Sequence, residues 1–171
     1  MKRLLMFCTM SAMMLHAEGG VLDVQWPAVD KNQAKMQKAY PLVLKEKIKE
    51  VTLPVYLPST YIYNQKMTIV AEPNYYSITI YLDKARLLVT GDRTYQQSVK
   101  VADQAFKTMM KSDTIAFEVA EGMLITDFNR HGVNYTLMLE CDEPESDERC
   151  QEESFLRRTI YDQLTLVGGK R

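Results

Sequence analysis

Two sulfurs, one imidazole, a run of carboxylates and a crowd of tyrosines are the groups in this chain whose types and spacing could do chemistry. Cys141 and Cys150 have eight residues between them in a stretch rich in Asp and Glu. Metal and redox pairs favour spacings of about two to four residues and bring further ligands, which this stretch does not supply. A short loop lets two sulfurs meet often, so the spacing predicts a structural disulfide, valued at roughly 2.5–3 kcal/mol in the chain-entropy picture. Between the cysteines, Asp142, Glu143, Glu145, Asp147 and Glu148 offer oxygens of the kind Ca²⁺ prefers. They lack the glycine of an EF-hand turn and Pro144 intrudes, so a solvated charged loop is expected and no metal site is assigned.

His131 is the only histidine beyond residue 17, and it falls in the turn-like stretch Asn129 to Gly132. A nucleophile–His arrangement would have to be built on it alone. No G-x-S-x-G, H-E-x-x-H or phosphate-cradling glycine loop accompanies it. Zinc is unprovided for, since one histidine remains once both cysteines are oxidised. Glu121 and Asp127 are the carboxylates that could be weighed for glycoside hydrolysis, but solvated strand ends are the plainer expectation. The sequence therefore assigns no catalytic residue, metal or cofactor and leans against an enzyme.

The tyrosines are the most suggestive feature. Tyr56, Tyr61, Tyr63, Tyr75 and Tyr76 fall within twenty-one residues. Tyrosine is stiff and amphipathic and is favoured at recognition surfaces, although aromatics also enter strands for packing alone. Tyr61, Tyr63, Tyr75 and Tyr76 are the candidate binding residues, a platform for a peptide, a protein or a sugar if they gather near one sheet edge.

The elements that must position these groups begin after a leader. Met1-Lys2-Arg3 is basic, Leu4 to Leu15 is apolar apart from Thr9 and Ser11, and Ala17 suits the position before a cut. That is the pattern of a secretory signal peptide over residues 1–17; the apolar run is too short to span a membrane. Cys8 sits inside the run, not at its end, so a lipid anchor is not expected. The expected compartment is the periplasm, with full secretion as the alternative, and no stable membrane span should remain after cleavage. Loss of Lys2 and Arg3 leaves 19 of 21 basic residues against 22 acidic ones, a formal charge near −3. Nucleic acid is excluded as a partner, because its binding surfaces need clustered Lys and Arg.

Residues 18–50 read as a polar arm or short helices. Asp30 could cap a helix running to about Tyr40, Pro41 stops it, and Leu42 to Glu50 is amphipathic. Residues 51–171 read as one α+β domain. Strands are predicted at Val51–Leu57, Lys66–Ala71, Tyr75–Leu82, Ala85–Thr90, Thr114–Val119, Met123–Phe128 and Val133–Cys141. Pro54 and Pro58 consign the first to an edge. Tyr76, Ile78, Ile80 and Leu82 alternate as in a half-buried antiparallel strand. One helix is predicted from an N-cap at Thr94, with Gln97 completing a capping box, along a stripe that includes Val99, Ala102, Phe106 and Met109. A second is predicted over Glu152–Leu166, burying Leu156, Ile160 and Leu164. The expected architecture is an antiparallel sheet of six or seven strands with two helices on one face. The likeness of Tyr76–Asp83 to Tyr135–Asp142 suggests two β-hairpin-plus-helix repeats.

The function expected is that of a non-catalytic envelope protein that binds another macromolecule: an inhibitor, immunity or assembly factor with an envelope protein or glycan as partner. A carboxylate-dependent hydrolase of cell-wall or glycan substrates is the first alternative, and a structural envelope component the second.

Overall fold

The computed structural model describes residues 20–28, 33–95 and 115–171. Its centre is a six-stranded antiparallel sheet in the order β3-β4-β5-β9-β8-β7. The strands are β3 (Met67–Glu72), β4 (Tyr75–Leu82), β5 (Ala85–Asp92), β7 (Glu118–Ala120), β8 (Met123–Arg130) and β9 (Val133–Cys141). Two three-strand meanders meet where β5 pairs with β9. Short β1 (Gly20–Val21) pairs with β6 (Thr94–Tyr95), and β2 (Val55–Pro58) pairs with β10 (Leu164–Gly168). Helix is sparse: α1 (Gln33–Lys38), α2 (Leu42–Lys47), α3 (Glu148–Gln151), α4 (Glu153–Phe155) and a wide π-helical turn over Leu156–Tyr161.

Period-two alternation fixes which side of the sheet is dry. Tyr76, Ile78 and Ile80 on β4, Leu87 and Val89 on β5, and Tyr135, Leu137 and Leu139 on β9 are buried on one face. Tyr40, Leu44 and Ile48 around α1 and α2, Val55 and Leu57 of β2, Leu156 and Ile160 of the wide turn, and Val167 of β10 complete that core. Residues 40–48 thus pack into the same core as the sheet. The other face carries Thr79, Thr90, Thr136, Asp127 and the Arg86–Glu140 ion pair at 2.6 Å.

Hairpin turns are set where the chain enters left-handed space. His131 and Gly132 have φ of 57° and 78°, and Glu121 and Gly122 have 51° and 79°. Two successive positive φ values are what a two-residue hairpin needs to match strand twist. At Gly132 a side chain would also strike the Asp23 carbonyl. The residues after β1 lie across this end of the sheet: Leu22 N–H donates to Arg93 O (2.7 Å) and Gln25 N–H to His131 O (2.9 Å).

The likeness between β4 and β9 acquires a physical role. Tyr76 and Tyr135 flank Gly91 in register. A methyl at Gly91 would run into the Tyr76 ring and stand 3.0 Å from Leu53 and Tyr135. The two hydroxyls grip the backbone leading into and along β2. Tyr135 O–H donates to Pro54 O (2.9 Å), while Tyr56 N–H donates to Tyr76 Oη (3.1 Å), which returns a bond to Tyr56 O (3.4 Å). With β10 on its other side, β2 has buried polar groups that would be costly to leave unpaired.

Several expectations need correction. The C-terminal helix does not run to Leu166: the wide turn ends at Tyr161, and Leu164–Gly168 is a strand on β2. The turn is marked by Asp162 N–H donating to Arg157 O, a five-residue step. Leu156 and Ile160 are buried as their spacing predicts, but Leu164 is only half-buried. Thr94 is no helix cap. It pairs with Val21, and its N–H and hydroxyl both donate to Asp92 Oδ1. Tyr95 likewise pairs with Gly20, and the rest of that expected helix lies outside the described residues, as do the expected leader and Asp30.

Candidate functional site

The disulfide joins Cys141, the last residue of β9, to Cys150 in α3, with Cα atoms 6.3 Å apart and both residues buried. The loop between them is tied by its own charges. Asp147 caps α3 through Arg149 N–H (3.0 Å) and receives the Arg149 guanidinium. Hydrogen bonding from Arg149 holds the Asp147 carboxyl down to about 2. Arg149 also donates to Asp83 O (2.9 Å) and so fastens the loop to the β4–β5 turn. Among the described residues, no group of three or more His, Cys, Asp or Glu is gathered to hold a metal.

Glu121 and Asp127 are not brought together. Glu121 sits in the β7–β8 turn, and Asp127 lies on the open face of β8, accepting from Thr136 Oγ1. Met123 to Asp127 alone spans roughly 14 Å of extended chain, and Glu121 is farther still.

The four candidate tyrosines part company. Tyr76 is 1% exposed and serves the clasp on β2. Its phenol is pushed far above the usual range, chiefly by burial. Tyr75, the neighbouring residue on β4, faces the opposite side of the sheet and is half-buried. Tyr61 closes the 3₁₀ turn Ser59–Tyr61 that follows β2 and packs against the core. Tyr63, two residues on, is 46% exposed, and its ring lies 5.9 Å from that of buried Tyr40.

Tyr40 precedes Pro41 at the elbow between α1 and α2. Pro41, extended at ψ 143°, occupies the N-cap position and offers no side-chain cap. The next two residues are bare: Leu42 is 71% exposed and Val43 37%. The exposed apolar groups of this region are thus Tyr63, whose ring contacts Tyr40, and Leu42 and Val43, which follow Tyr40 and Pro41 in the chain. The Tyr40 hydroxyl is buried with no hydrogen-bond partner among the described residues, and burial, followed by Tyr63, raises its pKa.

A second aromatic group lies at the β8–β9 turn. The Arg130 guanidinium carbon stands 5.2 Å from the Tyr56 ring centre and 5.3 Å from those of Phe128 and Tyr161. Arg130 Nη2 donates to Tyr161 Oη at 3.1 Å. His131 stacks on Tyr56 with centroids 6.2 Å apart and planes 13° apart. Burial and then the charge of Arg130 lower the His131 pKa, favouring the neutral imidazole. Sequence reasoning passed over Arg130 because Tyr56 and Tyr161 reach it from distant strands and turns. The one local hint is Phe128-Asn129-Arg130-His131 itself, with Phe128 and Arg130 on one side of β8.

Among the described residues, no helix is long and apolar enough to cross a membrane. No family model, curated protein or solved structure matches the chain.

Proposed function

We propose that this protein is an exported, disulfide-stapled module that binds another macromolecule of the cell envelope without transforming it. The observation that carries this reading is the α1–α2 elbow, where buried Tyr40 holds the exposed Tyr63 ring and is followed in the chain by exposed Leu42 and Val43. Grouped apolar surface costs free energy in water and is recovered when a partner covers it. A ring already held by a neighbour loses little freedom on docking. Export is supported by the Cys141–Cys150 bond, which suits an oxidising compartment. The hydrolase alternative draws no support from Glu121 and Asp127, which stand too far apart to share a substrate bond.

The test is capture of envelope partners by the wild-type domain and by a Leu42→Ser/Tyr63→Ser pair. Loss of a central hot spot of about 2 kcal/mol or more should weaken retention roughly thirtyfold. Equal retention by both proteins would overturn the elbow as the binding surface.

A further inference from the structure

Arg130 is a half-buried cation, and few of its donors find partners among the described residues. The ion pairs among the described residues are Lys47–Glu50, Arg86–Glu140, Arg149–Asp147 and Arg157–Glu153, and none involves Arg130. Half-buried Arg93, by comparison, donates to Asn74 Oδ1 (2.8 Å) and Thr52 O (3.2 Å). Among the described residues, the Arg130 side chain donates one hydrogen bond, to Tyr161 Oη. A guanidinium has five N–H groups in a fixed fork.

The surroundings hold that fork still. Rings of Tyr56, Phe128 and Tyr161 stand within 5.3 Å of its carbon, and such contacts offset part of the cost of desolvating the charge. With one terminal nitrogen bonded to Tyr161 and three rings close by, the remaining N–H groups of the fork are what an anion can meet. Tyr161 accepts from Arg130, which leaves its own O–H proton free to turn to an anion held there. The partly exposed position of Arg130, beside the His131–Gly132 turn, leaves a route from solvent.

We propose that Arg130, framed by Tyr56, Phe128 and Tyr161, is a binding site for a carboxylate. A flat carboxylate matches the edge of a guanidinium with two parallel hydrogen bonds, and Tyr161 adds a third donor. The carboxylate belongs to a small organic acid or to the end of a peptide chain, and the experiment separates these. The site is distinct from the Tyr63 elbow and stands or falls without it.

The wild-type protein is titrated with sodium acetate, with N-acetyl-alanyl-alanine, with the C-terminal amide of that dipeptide and with sodium sulfate. Ionic strength is held constant with chloride, and the Arg130 Nε–Hε and Tyr161 ring resonances are followed by NMR. Saturable shifts with a carboxylate, at a dissociation constant on the order of 1 mM, and none with the amide, are expected. Acetate binding as well as the dipeptide identifies a small acid; tighter binding of the dipeptide identifies a chain terminus. Arg130→Gln should abolish the shift at Tyr161, and Arg130→Lys should weaken binding about tenfold, because an ammonium cannot fork. Should Arg130→Gln fail to fold, the wild-type and Arg130→Lys titrations decide. No saturation with either carboxylate, equal response to the amide, or a response to sulfate alone would overturn the proposal. Tyr63→Ser should leave every titration unchanged.

Discussion

Replacing Tyr135 with Phe removes one oxygen from the core and nothing else. The ring keeps its contacts with Phe128, Tyr56 and Tyr76 at 5.3, 5.5 and 6.5 Å between centroids. What disappears is the 2.9 Å bond to Pro54 O, made where Tyr135 is 1% exposed. Burial drives the Tyr135 phenol above its usual range, which favours the protonated donor form. An acceptor left dry and unpaired costs about 1–3 kcal/mol. With a urea slope of about 1–3 kcal/mol/M, the midpoint should fall by roughly 1 M, with the slope itself unchanged. Tyr76→Phe removes the bonds to Tyr56 N–H and O and should cost a similar amount. Because both hydroxyls hold nearby backbone groups of the same segment, the double variant should depart from additivity by at least about 0.5 kcal/mol. Tyr63→Phe, at an exposed ring, is the control and should change little. A Tyr135→Phe midpoint equal to wild type, with aromatic CD showing the same packing, would refute the clasp.

Other perturbations probe separate contacts. Cys141→Ala/Cys150→Ala opens the loop and should lower unfolding free energy by roughly 2.5–3 kcal/mol, read from paired urea curves. Gly91→Ala places a methyl against the Tyr76 ring and should cost about 1–3 kcal/mol by overpacking, measured as a lower melting temperature. Asp147 has its folded pKa depressed to about 2 from 3.8, so the unfolded chain binds more protons between those values. Its contribution is present above pH 3.8 and is lost as pH falls through about 2. With 16% of the Asp147 side chain and 30% of the Arg149 side chain open to water, solvent screening reduces this to about 1 kcal/mol. Asp147→Asn should flatten that part of the stability–pH curve.

The strands were legible where one face is wet and the other dry. Tyr75–Leu82 and Val133–Cys141 alternate without a break, and both lie where period two puts them. The end of the chain misleads because Leu156, Ile160 and Leu164 keep helical spacing. The wide turn breaks that period after Tyr161, and pairing with β2 draws Leu164–Gly168 into a strand. Tertiary pairing of this kind overrides local pattern. Tyr75 and Tyr76 were grouped by proximity in sequence, yet neighbours on a strand face opposite sides. The Arg130 group was illegible for a different reason: its rings come from β2, β8 and the C-terminal turn, and only the finished fold gathers them.

The binding reading is tested most directly by contact at the elbow itself. A photo-crosslinking amino acid is placed at Tyr63, 46% exposed, and in a second protein at Tyr81, 45% exposed on the other face of the sheet. Both are irradiated in the intact native envelope. A discrete covalent adduct from position 63, absent from position 81, is the predicted result. No adduct at 63, or the same pattern from both positions, would contradict it.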